Sequence, residues 1–310
     1  MNKMKHFLIA FAAWAIMMTC TMAQNVGVSL MAFDDLFLTN LREAIAAKAK
    51  EAGVKVQFED GQRDIGKQLS QIQNFIAQKV DAIVVNPVDS SATAQMTKLV
   101  KDAGIPLVYV NIPPMEELKP GEPVVYVGSD EIIAGKLEGE GIAKLLNGKG
   151  NVVILMGAPA SQASVMRTEG AEKVFAQHPE IKVVGKQTAN WQRNEAIDIM
   201  NNWLVAGTPI DAVCANNDEM AIGAIIALQQ GGKDPKKIVI GGVDATRDAL
   251  AEMEKGNLAV TVFQDAKGQG KAVVESVQKL LKKEKFESPY VYVPFEAVTK
   301  ENYKEYLKKL

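Results

Sequence analysis

The stretch Ala212-Val213-Cys214-Ala215-Asn216-Asn217-Asp218-Glu219-Met220-Ala221-Ile222-Gly223-Ala224-Ile225 decides the fold class of this chain. Its first four residues are small and apolar, as in a buried strand, and four polar side chains follow without a gap. A helical pattern of Met220, Ile222, Ala224, Ile225 and Leu228 begins at once. Strand, polar corner and helix in that order form the repeating unit of an open α/β sheet, where ligands collect at the carboxyl ends of the strands. Amides beside carboxylates at such a corner suit a neutral polar molecule rather than a metal or a phosphate.

Strands alternate with helices on both sides of this unit. Before it, the strand candidates are Val26 to Leu30, Lys55 to Glu59, Ala82 to Asn86, Leu107 to Asn111, Val124 to Val127, Val152 to Met156 and Lys182 to Gly185. After it come Ile238 to Gly242, Ala259 to Phe263 and Tyr290 to Val293. Most are continuous β-branched runs, expected of parallel strands covered on both faces. Leu38, Leu41, Ile45 and Ala49 keep a helical period, as do Ile65, Leu69, Ile72 and Ile76, while Asp64 and Asp130 are placed to cap helices. Eleven strands in 310 residues are too many for one compact sheet, which predicts two doubly wound domains with parallel sheets. The loop Pro113 to Pro123, with four prolines and a glycine, puts the break near Val127 and Gly128. Further links are expected at Val262 to Asp265 and near Ser288 to Tyr290.

The amino terminus reads as an export signal. Lys3 and Lys5 precede the apolar run Phe7 to Met18, and Thr21-Met22-Ala23 offers small residues where a signal peptidase reads, so cleavage is expected after Ala23. A membrane-spanning helix would need about 20 apolar residues. Cys20 follows Met17-Met18-Thr19, a poor match to a lipid-attachment box. Without residues 1–23 the chain keeps 33 of its 35 basic residues against 37 acidic ones, a net charge of −4 that attracts no nucleic acid. It also keeps one cysteine, Cys214, which reads as a small buried hydrophobe, and one histidine, His178. That leaves no disulfide within the chain, no zinc cluster and no serine triad. No strand runs into G-x-G-x-x-G, and Gly268-Gln269-Gly270-Lys271 lacks the spacing of a phosphate loop, so a dinucleotide-dependent enzyme is not expected.

Eight segments in order carry a resemblance: Phe33-Asp34-Asp35-Leu36-Phe37-Leu38, Ile83 to Asp89, Ile105 to Asn111, Arg167-Thr168-Glu169-Gly170, Asn190-Trp191, Asn216 to Ala221, Gly241-Gly242-Val243-Asp244 and Phe263-Gln264. Through them the chain resembles the periplasmic sugar-binding proteins of the ribose-binding type, the solute receptors of ABC importers. The resemblance implies a type I periplasmic binding fold joined by a three-strand hinge. Residues 24–127 plus 265–289 would form one lobe and 128–264 plus 290–310 the other. It implies a non-enzymatic periplasmic receptor, a monomer without cofactor or metal. Its partners would be a small sugar or polyol and an inner-membrane permease, with a chemotaxis or sensor protein as an alternative partner. A sugar-responsive repressor shares the core but begins with a DNA-binding helix-turn-helix, whereas this chain begins with the export signal.

Residue by residue, the resemblance implies that Phe37 and Trp191 sandwich the sugar ring, its C–H faces against their π faces. Arg167 would hold vicinal oxygens with its planar fork. Asn111, Asn217, Asp244 and Gln264, at predicted strand ends, would bond hydroxyls that both donate and accept. Asp218 and Glu219 are expected to cap the following helix. Asp34 and Asp35 stand where the family often has asparagines, and at least one is expected to face the cleft. Ribose receptors carry an Asp-Arg pair where this chain has Asn111-Ile112-Pro113-Pro114, so the set loses an arginine and gains carboxylates. The Phe-Asp-Asp-x-Phe-Leu loop resembles that of the inositol and rhizopine receptors, which makes a neutral cyclic polyol such as myo-inositol the expected ligand and an aldose such as ribose or galactose the alternative.

Overall fold

The computed structural model describes residues 24–310, and the expected export signal at residues 1–23 lies outside the described residues. The β-branched runs do become strands. In chain order, β1 (Asn25–Leu30), α1 (Leu36–Glu51), β2 (Lys55–Asp60), α2 (Ile65–Ala77), β3 (Ala82–Val85), α3 (Thr93–Asp102), β4 (Leu107–Asn111) and β5 (Val124–Gly128) come first. Then follow α4 (Glu131–Leu145), β6 (Lys149–Met156), α5 (Gln162–Phe175), β7 (Glu180–Thr188), α6 (Arg193–Val205), β8 (Ala212–Ala215), α7 (Asp218–Gln230), β9 (Val239–Gly241), α8 (Arg247–Lys255) and β10 (Val260–Phe263). The remainder is α9 (Ala266–Leu281), β11 (Tyr290–Tyr292), β12 (Glu296–Thr299) and α10 (Tyr303–Tyr306).

Two six-stranded sheets result, in the orders β2-β1-β3-β4-β5-β11 and β7-β6-β8-β9-β10-β12. All pairings are parallel except β10 with β12. The inner strands are buried along their length, β3, β4 and β8 without a single exposed residue, which is why they read as unbroken apolar runs. Both sheets repeat one doubly wound order, with switch points between β1 and β3 and between β6 and β8. The two cover helices are exchanged: α4, reached from β5 of the first sheet, packs on β9 and β10 of the second, while α9, reached from β10, packs on β4 and β5.

Three crossovers therefore join the lobes, and the third lies later than the sequence suggested. β11 pairs with β5 through Tyr290 and Tyr126, so Tyr290–Tyr292 belongs to the first sheet and not to the second lobe. The crossing falls between Tyr292 and Glu296, because the apolar run at 290 finds its partner in the free edge of β5. β12, a short antiparallel edge strand, carried no pattern from which to read it. Asp64 and Asp130 cap α2 and α4 as expected. α7 is capped instead by Asn217, whose Oδ1 accepts the Met220 N–H at 3.0 Å, while Asp218 turns inward and Glu219 pairs with Arg193.

α4 and α5 cross at backbone contact distance, which fixes where α5 presents Arg167. A Cβ at Gly135 would lie 1.8 Å from the Arg167 carbonyl oxygen, and one at Gly170 would lie 2.4 Å from that of Ile132. Overpacking such a contact costs roughly 1 to 3 kcal/mol. Gly135→Ala is therefore expected to lower Tm by several degrees in a thermal melt, and an unchanged Tm would show that the two helices separate freely.

Candidate functional site

Corners at the carboxyl ends of both sheets line one narrow chamber between the lobes. The first lobe contributes Asp35 and Phe37 after β1 and Asn111 at the end of β4, with Met31, Leu38 and Ile112 as apolar wall. The second contributes Arg167 from α5, Trp191 after β7, Asn217 after β8, Asp244 after β9 and Gln264 after β10. The lobes touch beyond the chamber, where the Ser90 N–H donates to the Ala160 carbonyl at 2.9 Å and Ser90 Oγ accepts from the Gln162 N–H at 3.0 Å.

Eight of the nine residues expected at the site thus line one space, and Asp34 does not. Its side chain is 72% exposed and pairs with Arg63 at 2.6 Å outside the chamber, because the turn into α1 sends the two neighbouring carboxylates in opposite directions. Asp35 points inward and accepts the Leu38 N–H at 2.8 Å, capping α1. Burial pushes its carboxyl up, and that N–H draws it back.

Arg167 is 4% exposed and held on three sides. Its Nε donates to Glu131 at 2.6 Å, one terminal nitrogen to the Asn216 carbonyl at 2.7 Å and the other to Gln264 Oε1 at 3.2 Å. Burial works against its charge, but the facing carboxylates of Glu131 and Asp244 leave its pKa raised, so it stays a cation. Of the five N–H groups of a guanidinium, three have protein acceptors and two remain.

Asp244 is the reverse case. It is 6% exposed, and its nearest cationic partner is Arg167 at a loose 3.7 Å. No hydrogen bond reaches its carboxylate among the described residues, and burial holds its pKa well above the usual carboxylate range against the pull of Arg167. Gln264 Nε2 is likewise buried without a partner. An acceptor and a donor thus face the chamber without a hydrogen-bond partner among the described residues.

The backbone around these groups is unusual. Asn111 (φ 66°), Trp191 (φ 68°) and Asp244 (φ 122°) all adopt conformations that L-residues rarely hold. Such outliers persist where the surroundings over-determine them, and they cluster at functional sites. Trp191 seats its ring where Gly157 has no side chain, since a Cβ there would lie 2.3 Å from the indole. Asn217 has less to offer a ligand than its position suggested: its Oδ1 caps α7 and its Nδ2 donates to the Trp191 carbonyl at 3.3 Å. Asn216, in the same corner, braces the site from behind, its Oδ1 accepting from Gly157 N, Ser164 Oγ and Thr168 Oγ1. Glu131 was not foreseen, because a glutamate in the first turn of a helix reads as a solvated, dipole-favoured acid.

A family model for the periplasmic binding protein domain matches residues 26–285. The chain belongs to the periplasmic binding protein family. A Rhizobium meliloti protein provisionally assigned to rhizopine binding is 50% identical over 99% of this chain and 100% of its own length. The ribose import binding protein of Escherichia coli is 30% identical over 94% of this chain and 96% of its own. Among solved structures, an ABC transporter solute-binding protein from Bacillus halodurans C-125 with bound myo-inositol is 41% identical, with a TM-score of 0.87 over 93% of this chain and 98% of that one. These are binding proteins and not enzymes, and the Bacillus halodurans structure shares the two-sheet architecture described above.

In this binding protein a second buried acid supports the site from α4. Glu138 is fully buried, and its Oε1 accepts the Ala215 N–H at 2.8 Å, one residue before Asn216. Burial raises its pKa from 4.5 to about 8, against the hydrogen bonds from Cys214 and Ala215. The folded state therefore keeps a proton that the unfolded state releases, so this group's contribution to stability falls as pH rises from about 4.5 to about 8. Glu138→Gln, which cannot ionise, is expected to lose less Tm than the parent protein between pH 5 and pH 9; parallel losses would show that Glu138 is already ionised at pH 5.

Proposed function

We propose that the chain is the receptor of an ABC sugar importer: it captures a neutral cyclic polyol, myo-inositol before others, between its lobes and delivers it to a membrane permease. The observation that carries this reading is the Asp244 carboxyl, which no hydrogen bond reaches among the described residues, beside the unpartnered Gln264 Nε2, in a chamber walled by Phe37 and Trp191. A ring whose every hydroxyl donates and accepts satisfies both groups at once, while its C–H faces cover the aromatics. The myo-inositol bound by the 41% identical relative supports the choice of ligand. A second reading, rhizopine, rests on the 50% identical relative. An aldose is less well matched, since Arg167 is the only arginine among the described residues that lines the chamber.

Capture follows from the same groups. With the lobes apart, water solvates Asp244 and Gln264; with the lobes together on the ligand, its hydroxyls replace that water and the chamber dries. The closed form is the one a permease would engage, and the ligand stabilises it through its greater affinity for that form. Release of the chain into the periplasm would follow cleavage after Ala23.

In a thermal-shift series on the protein from Gln24, stripped of carried ligand, myo-inositol is expected to raise Tm, with ribose and galactose giving smaller shifts. A larger shift with an aldose would reassign the ligand, and no shift with any polyol or sugar would remove the reading. Asp244→Ala is expected to weaken polyol binding at least tenfold by titration calorimetry, since each unsatisfied buried partner costs roughly 1 to 3 kcal/mol. Without ligand the variant should melt within a few degrees of its parent, because Glu131 still neutralises Arg167 at 2.6 Å; equal affinity would exclude Asp244 from the site.

A further inference from the structure

The Arg167 guanidinium lies where the three crossovers meet. Its Nε pairs at 2.6 Å with Glu131, the first residue of α4 beyond the first crossover. A terminal nitrogen donates to Gln264 in the second. Its Cζ stands 5.8 Å from the ring of Phe295 in the third. The first and third crossovers are themselves tied, Val293 N donating to the Gly128 carbonyl at 2.7 Å and Ser129 Oγ to the Val293 carbonyl at 2.6 Å.

Two carboxylates compete for this one cation. Glu131 is fully buried and holds it at 2.6 Å, and its second oxygen has no partner. Asp244, across the chamber wall, stands off at 3.7 Å. Arg167 sits on the nearer of the two, and that choice is set by where α4 places Glu131. Were Glu131 neutral, the guanidinium would shift onto Asp244, fill its acceptor sites and withdraw from Gln264.

We propose that Glu131 is a positioning residue for the binding site: by holding Arg167 against the crossovers it keeps the Asp244 carboxylate free for the ligand, and ligand contact with Arg167 reaches all three crossovers at once. Occupancy and lobe closure are then coupled through one side chain. This inference rests on the polyol reading for its choice of ligand, though not for its test on the empty protein.

Three measurements test it. In the empty protein, Glu131→Gln should keep Tm within a few degrees of the parent, because Arg167 exchanges one carboxylate for another; a fall of the size expected for a broken buried ion pair, or failure to fold, would overturn the exchange. In titration calorimetry with the polyol or sugar that the parent binds best, Glu131→Gln should lose at least tenfold in affinity. The double variant Glu131→Gln with Asp244→Asn should be no more than about twofold weaker than Asp244→Asn alone, because both act through the same carboxylate. Parent-like binding by Glu131→Gln, or losses that multiply in the double variant, would overturn the proposal. In small-angle scattering at saturating ligand, Arg167→Lys, which keeps the charge but cannot reach Glu131 and Gln264 together, should stay more open than the parent, and parent-like closure would refute the coupling. If the parent binds no polyol or sugar, the functional reading fails and the empty-protein measurement still decides the role of Glu131.

Discussion

One buried positive charge organises the interior between the lobes. Arg167 cannot be desolvated without anions and acceptors around it, and the fold supplies them from four separate corners: Glu131, Asn216, Asp244 and Gln264. Each of those corners is thereby held in place by the same guanidinium. The carboxylates that neutralise it outnumber it, so the chamber carries acceptor capacity to spare. That surplus is what separates this site from a hydrophobic slot and gives it selectivity among molecules of equal size, since a missing hydroxyl leaves a buried oxygen unpaired.

The sheets make such convergence possible with little special design. Both lobes repeat one strand order, and each opens its switch point toward the other. Loops at the carboxyl ends of parallel strands all emerge on one side, so two lobes set with those ends toward each other bring their loops to one place. Short corners suffice: Trp191, Asn217, Asp244 and Gln264 each lie within three residues of the end of a strand. The left-handed backbone at Trp191 and Asp244 is the strain that such abrupt turns impose.

Much of this was legible in the sequence, for identifiable reasons. Parallel strands buried on both faces leave apolar runs that survive without context, so the inner strands of both sheets could be placed, and the edge strands β2, β7 and β11 kept short β-branched or alternating runs that marked them as well. β12 could not, because an edge strand such as Glu296-Ala297-Val298-Thr299 is half exposed and needs no apolar run. Strand ends pointed to Asp244 and Gln264, since any polar residue there faces the ligand side. Side-chain direction within a loop has no period, which is why Asp34 and Asp35 could not be separated and why Asn217, and not Asp218, turned out to be the helix cap. Glu131 and Glu138 stayed hidden for a related cause: an acid on a helix normally faces water, and only the close crossing of α4 and α5 over the second sheet buries both.

The exchange of α4 and α9 between lobes bears on how the chain reaches this state. During synthesis the first sheet has β1 to β5 long before α9 and β11 exist, so one face of its core stays bare and β5 remains an open edge until residue 292 has been made. The second lobe, in turn, lacks β12 until residue 299. Neither half can close its core on its own, and an autonomous, tightly folded amino-terminal intermediate is disfavoured. If the chain is exported as proposed, late completion would serve it: a polypeptide whose cores cannot close before residues 292 and 299 are available would remain threadable through a membrane and lock only when its last strands arrive.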